Sequence, residues 1–265
     1  MGALLWARFC QNGVELREDQ GVEPAQTHEW GTAPEFVGPR HELREKLLLA
    51  TFLRAEPGRR VLNAGAGLGS FTSLLQEHGF EVTSTDVSPA AVAHLRRVVQ
   101  GESLEADLEA LPFGPARFDA VVLGEVLEHV PNDVEGLREV VRVLKPGGVV
   151  AISVPANPKW FSESDRWAGH YRRYTRDALC AACAEAGLTV ERCEGWGFPV
   201  ASAYHRWVYD KRAARLAGSG SPTRSKRWLM MVLKALLQVD RLTVGVDRGA
   251  LGFLAVARRP HSDGE

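Results

Sequence analysis

The chain is poor in the residues that mark most specialised protein classes. Four cysteines among 265 residues, at positions 10, 180, 183 and 193, are too few and too scattered for a disulfide scaffold. Cys180 and Cys183 form a C-x-x-C, but within a helical pattern and with no second pair or Cys/His group nearby. Buried thiols in a reducing cytoplasm are therefore expected, not zinc or a disulfide. No apolar run reaches the ~20 residues of a membrane span. Met1 to Cys10 has neither a basic leader region nor a small-residue cleavage site, which points to a cytoplasmic location. A formal charge of −1 gives no general attraction to nucleic acid. The 45% hydrophobic and 25% charged fractions are those of a globular protein, and the length suits one large α/β domain with an insertion.

What is present is glycine in one telling arrangement. An apolar run from Val61 enters a loop with Gly65, Gly67 and Gly69 at alternate positions, and a helical pattern from Phe71 to His78 leaves it. Strand, glycine loop and helix in that order let a ligand lie against bare backbone at a helix N-terminus. The next strand, Glu81 to Thr85, ends in Asp86, close to the ~20-residue offset of a ribose-binding acid. An adenosine-containing ligand follows, with a purely structural tight turn as the alternative. Nicotinamide sites read G-x-G-x-x-G, which this G-x-G-x-G does not match.

The stretch resembles the first motif of class I S-adenosylmethionine-dependent methyltransferases: two hydrophobic residues, an acid, then x-G-x-G-x-G. Asn63 departs from it, standing where that family usually has Asp or Glu. Its amide keeps an acceptor oxygen but lacks the charge that would face the sulfonium and ammonium end of the cofactor. The resemblance makes Gly65, Ala66, Gly67, Asp86 and Val87 cofactor contacts. It likewise marks Asp107 and Leu108, after a short strand at 103–105, as the adenine-contacting acid and its apolar wall. Ahead of the first helix, His41 to Arg54, the resemblance puts Trp30 and Arg40 over the cofactor, in an N-terminal arm spanning residues 1–40. Packing of the arm and solvation of the arginine are the alternatives.

The fourth strand, Phe118 to Leu123, is an almost unbroken apolar run that empties into Gly124-Glu125-Val126-Leu127-Glu128-His129. Ligand crevices lie off the carboxyl ends of such strands, so Gly124, Glu125 and His129 are expected at the reaction centre. The string E-V-L-E-H-V is similar to ubiquinone- and menaquinone-biosynthesis methyltransferases, in some of which the acid/acid/His group is assigned to a divalent metal. A His129 hydrogen-bonded to a neighbouring acid and merely shaping the pocket is the preferred reading of the string, and no metal is expected. Leu-Lys-Pro-Gly-Gly before a fifth strand, Val149 to Pro155, extends the resemblance over Val61 to Pro155.

Beyond it, G-H-x-R-R-Y-T at 169–175 resembles a subgroup of the ubiquinone-type enzymes. Histidine titrates near neutrality, so His170, with His129 beside the reaction centre, is a candidate for taking a substrate proton. Trp167, Tyr171, Arg173 and Tyr174 are candidate substrate contacts; the alternative pairs Arg172 and Arg173 with Asp165 and Asp177. Strands at 188–195 and 250–258 form the antiparallel hairpin that closes such a fold, around an insertion at 201–248 read as a substrate cover. Between Ala203 and Arg248 this insertion holds ten Lys or Arg against three Asp. Its second helix, 226–242, presents Trp228, Leu229, Met230, Met231, Leu233, Leu236 and Leu237 around a narrow polar face, and suits the core, a lid, a dimer or a membrane surface.

The expectation is a Rossmann-like sheet of seven mostly parallel strands with helices on both faces, occupying residues 41–260. Its expected function is methylation of a small lipophilic or aromatic hydroxylated molecule. The rivals are a non-catalytic binder of the same nucleoside and an NAD-dependent enzyme.

Overall fold

In a computed structural model, which describes residues 38–209 and 227–261, the glycine stretch forms the strand, loop and helix that its spacing predicts. Trp30, with most of the arm, and the centre of the insertion lie outside the described residues. Helix α1, Pro39–Leu53, opens with proline at its first position, where no backbone N–H is required. It leads into β1, Arg60–Ala64, then α2, Ser70–Glu77, and β2, Glu81–Asp86. Helix α3, Pro89–Val98, is capped by the Ser88 hydroxyl, which accepts from Ala91 N. The short β3, Ser103–Glu105, precedes β4, Phe118–Gly124, and a 3₁₀ turn at Leu127–His129 follows. After α4, Asp133–Val143, comes β5, Leu144–Pro155, which begins five residues earlier than expected because Leu144 already pairs with Phe118 before a register shift.

The second half adds α5, Glu163–Trp167, α6, Arg176–Glu185, and β6, Thr189–Trp196. Helix α7, Val200–Tyr204, runs into a π-helical turn, His205–Tyr209. Helix α8, Arg227–Leu236, passes into a 3₁₀ segment, Leu237–Thr243, before β7, Gly252–Arg258. The expected helix to Leu242 thus stops at Leu236; the Asp240 side chain then turns back to accept from Val200 N and Ala201 N, at 2.8 and 2.7 Å.

The seven strands form one sheet in the order β3-β2-β1-β4-β5-β7-β6, parallel except for β7, which is antiparallel to both its neighbours. Strand order reverses between β1 and β4, the place where such sheets open a ligand crevice. Alternation along the strands divides the core in two. Val121, Leu123, Val150 and Ile152 face α4 and α6 through Leu137, Val140 and Leu179. Ala120, Val122, Val149 and Ala151 face α1 and α2 through Leu48, Phe52 and Leu75. Leu237 joins this second cluster, and Lys234 of α8 reaches Glu42 of α1 at 2.8 Å, so the insertion returns onto the first helix. Met231, Leu236 and Leu242 remain exposed. Among the described residues no helix is long and apolar enough to cross a membrane.

Candidate active site

A cavity of about 440 Å³ opens at the reversal point, off the carboxyl ends of β1, β2 and β4. Its floor is the glycine loop. Gly65 has φ +69°, and a Cβ there would lie 2.5 Å from Val126 Cγ2, so only glycine lets the loop pass this close to the chain leaving β4. Gly67 N donates to Asp86 Oδ2 at 2.8 Å and Ser88 N to Oδ1 at 2.9 Å, fixing the carboxylate across the loop. Burial raises the Asp86 pKa, and the backbone N–H groups oppose that rise. Asn63 is buried beneath the loop, where its Nδ2 donates to Thr72 Oγ1 at 2.9 Å; the Thr72 hydroxyl meets that of Ser84 at 2.9 Å. Ala66, Val87, Asp107, Leu108 and Gly124 line the same cavity, as expected, and Arg40 enters it from α1.

The opposite wall carries the acids and histidines. Glu125 adopts φ +61° at the end of β4, which turns its Oε1 to accept from Ser153 Oγ at 3.0 Å. Its Oε2 lies 3.5 Å from Arg44 Nη1. Glu128 lines the cavity at 0% exposure, and neither carboxyl oxygen has a hydrogen-bond partner among the described residues. Burial, reinforced by the Glu125 charge, holds its pKa well above the usual carboxylate range. His129 is pushed down to about 4 by burial and by His170, whose ring meets it edge-on with centroids 4.6 Å apart. Donor atoms of Glu128, His129 and His170 all lie within 4.8 Å of one another. A divalent ion could use that spacing, whereas Glu125 is turned away to Ser153.

His170 is oriented from behind. Its Nδ1 lies 2.9 Å from Asp165 Oδ1, an arrangement that puts the proton on Nδ1 and leaves Nε2 as an acceptor. Asp165 is 2% exposed and also accepts from Arg173 Nε, at 3.0 and 2.9 Å, and from Ser162 N at 2.7 Å. Burial alone would raise its pKa, but the His170 bond and the Arg173 guanidinium hold it far below the ordinary aspartate value.

Trp167, His170 and Arg173 line the cavity, but two expected substrate contacts do not. Tyr171 points outward, 60% exposed. Tyr174 is turned into the core, where its hydroxyl donates to Asp133 Oδ2 at 2.7 Å and lies 3.2 Å from the Leu127 carbonyl oxygen. Arg172 pairs with Asp133 at 2.9 Å, leaving Arg173 as the partner of Asp165. Sequence reasoning missed Arg44, Trp196 and His205, all on the cavity wall. Arg44 stands four residues beyond Arg40, so helical periodicity alone puts it on the same face. Nothing in the sequence signals His205. Cys183 and Cys193 do not line the cavity, and burial pushes both thiols up to about 12.

The sequence matches the Methyltransferase domain family over residues 62–152. It is 33% identical over 213 residues to the ubiquinone biosynthesis O-methyltransferase of Pseudomonas fluorescens, covering 70% of this chain and 89% of that protein. The chain belongs to the class I S-adenosylmethionine-dependent methyltransferases. This methyltransferase is also 38% identical over 109 residues to the demethylmenaquinone methyltransferase of Beutenbergia cavernae, a match covering 41% of its own length and 45% of that relative's. Among solved structures it resembles the [4+2]-cyclase SpnF, with a TM-score of 0.60, 20% identity and coverage of 90% and 88% of the two chains. That likeness concerns the fold alone. The cavity suits the family's cofactor on its own evidence: a backbone cradle closed to any Cβ at Gly65, a fixed carboxylate at Asp86, and a buried Arg44 Nε without a hydrogen-bond partner among the described residues.

Proposed function

We propose that this methyltransferase methylates a hydroxyl group of a small aromatic or lipophilic acceptor, with His170 Nε2 taking the hydroxyl proton. The Asp165–His170 pair facing the cavity carries this reading. Bound S-adenosylmethionine supplies an electrophilic methyl group whose leaving group is a neutral thioether, so the protein need provide no leaving-group acid. Asp86 would hold the ribose hydroxyls, Asp107 the adenine amine with Leu108 against the ring, and Arg44 the carboxylate end. Asp165 fixes the His170 ring and stabilises the imidazolium formed when the proton arrives. Leu48, Phe71, Val126, Trp167 and Trp196 give the remaining wall an apolar character suited to a ring or chain. Of the insertion, His205 reaches this wall, while α8 is spent on α1.

Calorimetry with S-adenosylmethionine, S-adenosylhomocysteine and NAD tests the cofactor class; binding of NAD in preference to the other two refutes it. Methyl transfer to a panel of hydroxylated aromatic acceptors then tests the base. His170→Ala should lower turnover by ~10²- to 10⁴-fold, the usual cost of losing a general base, with cofactor affinity unchanged. Normal turnover by that variant at every pH would show that positioning alone drives the reaction.

A further inference from the structure

Glu128 stands on the cavity wall with no task in the methyl transfer described so far. It belongs to the 3₁₀ turn after β4, and that turn is tied down from the loop before α6. The Glu128 carbonyl oxygen accepts from Tyr171 N at 2.8 Å, and the Leu127 carbonyl oxygen lies 3.2 Å from the Tyr174 hydroxyl. The side chain on this fixed backbone is fully buried, lines the cavity, and leaves both carboxyl oxygens without a hydrogen-bond partner among the described residues. The nearby Arg44 guanidinium is directed elsewhere, to Glu125 Oε2 at 3.5 Å and to His41 Nδ1 at 3.1 Å. Glu125 and Asp165 add negative charge around Glu128. Buried polar groups in folded proteins are almost always hydrogen-bonded, so one left open inside a cavity points to a ligand.

We propose that Glu128 selects the acceptor: its carboxyl group donates a hydrogen bond to a carbonyl oxygen standing next to the hydroxyl that is methylated, so that acceptors are ortho-hydroxycarbonyl compounds. An ionised carboxylate without a partner is costly to bury, which favours the form that carries an O–H. That O–H is a strong donor, while the other oxygen of an acid accepts weakly, so its best partner is an oxygen that only accepts. A carbonyl is such an oxygen, and a second hydroxyl is not. The spacing agrees, since an oxygen of Glu128 and a ring nitrogen of His170 lie within 4.8 Å of one another. Two acceptor oxygens about 2.7 Å apart, each about 2.8 Å from its partner, fit between groups at that separation. Free in solution, an ortho-hydroxycarbonyl closes an internal hydrogen bond that withholds its hydroxyl proton from a base. Glu128 takes the carbonyl end of that bond and leaves the proton to His170 Nε2. As the proton passes to the imidazole, the hydroxyl oxygen bonds the methyl carbon, the carbon–sulfur bond breaks and its electron pair leaves with the thioether. Charge that spreads from the hydroxyl oxygen onto the carbonyl meets the Glu128 O–H, as in an oxyanion hole.

This inference rests on the methyl-transfer reading, and its test separates the two. The full-length protein, saturated with S-adenosylhomocysteine, is titrated calorimetrically with ortho-hydroxyacetophenone, with ortho-ethylphenol, which lacks the carbonyl, and with catechol, which puts a hydroxyl in its place. The hydroxyketone should bind ten-fold or more tightly than either. Glu128→Leu should abolish that preference, and Glu128→Gln, whose amide still donates, should retain it. Both variants should change S-adenosylhomocysteine affinity less than three-fold. In turnover with S-adenosylmethionine, Glu128→Leu should raise the KM for the hydroxyketone at least ten-fold and move that for ortho-ethylphenol less than three-fold, a split that a general loosening of the wall would not give. The comparison on the unaltered protein tests the idea even if the leucine variant unfolds. Equal binding of the three compounds, a preference for catechol, no binding of the hydroxyketone, or a preference that survives Glu128→Leu or is lost in Glu128→Gln overturns the inference. A ten-fold loss of S-adenosylhomocysteine affinity in both variants also overturns it, by giving Glu128 to the cofactor. Loss of hydroxyketone binding to a chelator, restored by magnesium, overturns it by giving Glu128 to a metal ion. Failure of the unaltered protein to bind S-adenosylhomocysteine refutes the methyl-transfer reading itself.

Discussion

Replacing Asp165 by Asn tests the centre of the proposed mechanism, because it keeps the side-chain shape and removes only charge and acceptor capacity. The carboxylate is 2% exposed and serves His170, Arg173 and Ser162 together. An amide can satisfy part of this set, but its NH₂ must face at least one of the same donors, and the Arg173 guanidinium, 6% exposed, loses its counter-charge. Removing one partner of a buried ion pair costs about 3–5 kcal/mol. At about 2–4 °C per kcal/mol for a chain of this size, the variant should unfold roughly 10 °C lower at neutral pH. The sign of the pH dependence follows from the depressed native pKa of Asp165. The native state holds this carboxylate ionised where the unfolded chain protonates it, so the stabilisation is complete above about pH 4 and is lost progressively below it. Scanning calorimetry from pH 8 to pH 3 should therefore show a gap between the two proteins that is constant down to about pH 4 and begins to narrow below it. Turnover should fall with it, since the His170 proton is no longer fixed on Nδ1. A variant that unfolds within 2 °C of the parent at pH 7, or a gap that does not narrow in acid, would refute this account.

Asp86→Ala should weaken S-adenosylmethionine binding by about 1.5–3 kcal/mol, the range for hydrogen bonds to a charged group, without loss of fold; unchanged affinity by calorimetry rules out the ribose assignment. Asn63→Asp should tighten cofactor binding, with Thr72 reversing to donate to the new carboxylate. A loss of affinity would show that the Asn63–Thr72–Ser84 chain is built around the amide. Glu128→Gln should raise the melting temperature at pH 8 and give no gain at pH 4. The raised pKa of Glu128 means that burying this acid costs stability only as the pH rises above its unfolded value, a cost that glutamine lacks. Destabilisation at both pH values would show that Glu128 holds the wall together.

The sheet was legible because each strand carries its period openly. Apart from Asp119 near its start, the run at 118–123 is apolar on both faces, and the structure covers both. Helix and strand ends were less so: β5 starts at Leu144 through a pairing with Phe118 that no local signal announces. At the site, contacts within a few residues of the glycine loop and of the β4 exit were readable as motifs, since a strand end and its loop fix them locally. The G-H-x-R-R-Y-T segment was readable as a site but not as individual contacts. Ala156 pairs with Tyr174 in an isolated bridge, and this extended stretch sends Tyr171 to solvent, Arg173 to the cavity and Tyr174 into the core. His205 was beyond reach because its partner Arg40 lies 165 residues away.

The geometry of the wall supports the proposed choice of His170 over His129, the two histidines that sequence alone left side by side. Burial and the Glu125 charge oppose ionisation of Glu128. Burial and His170 push His129 down to about 4, outweighing the Glu125 charge and the Gly169 backbone, which favour its protonated form. A base must hold the proton it takes, and in a cavity of low polarity that requires a counter-charge already in place. Asp165 supplies one, aimed at His170 Nδ1 and kept ionised by Arg173. A proton arriving at His170 Nε2 would thus complete a cation–anion pair, whereas one arriving at His129 is opposed chiefly by burial. The carboxylate that holds Arg173 rigid is also the one aimed at His170 Nδ1, so in the proposed reaction the placing of the base depends on a single buried side chain.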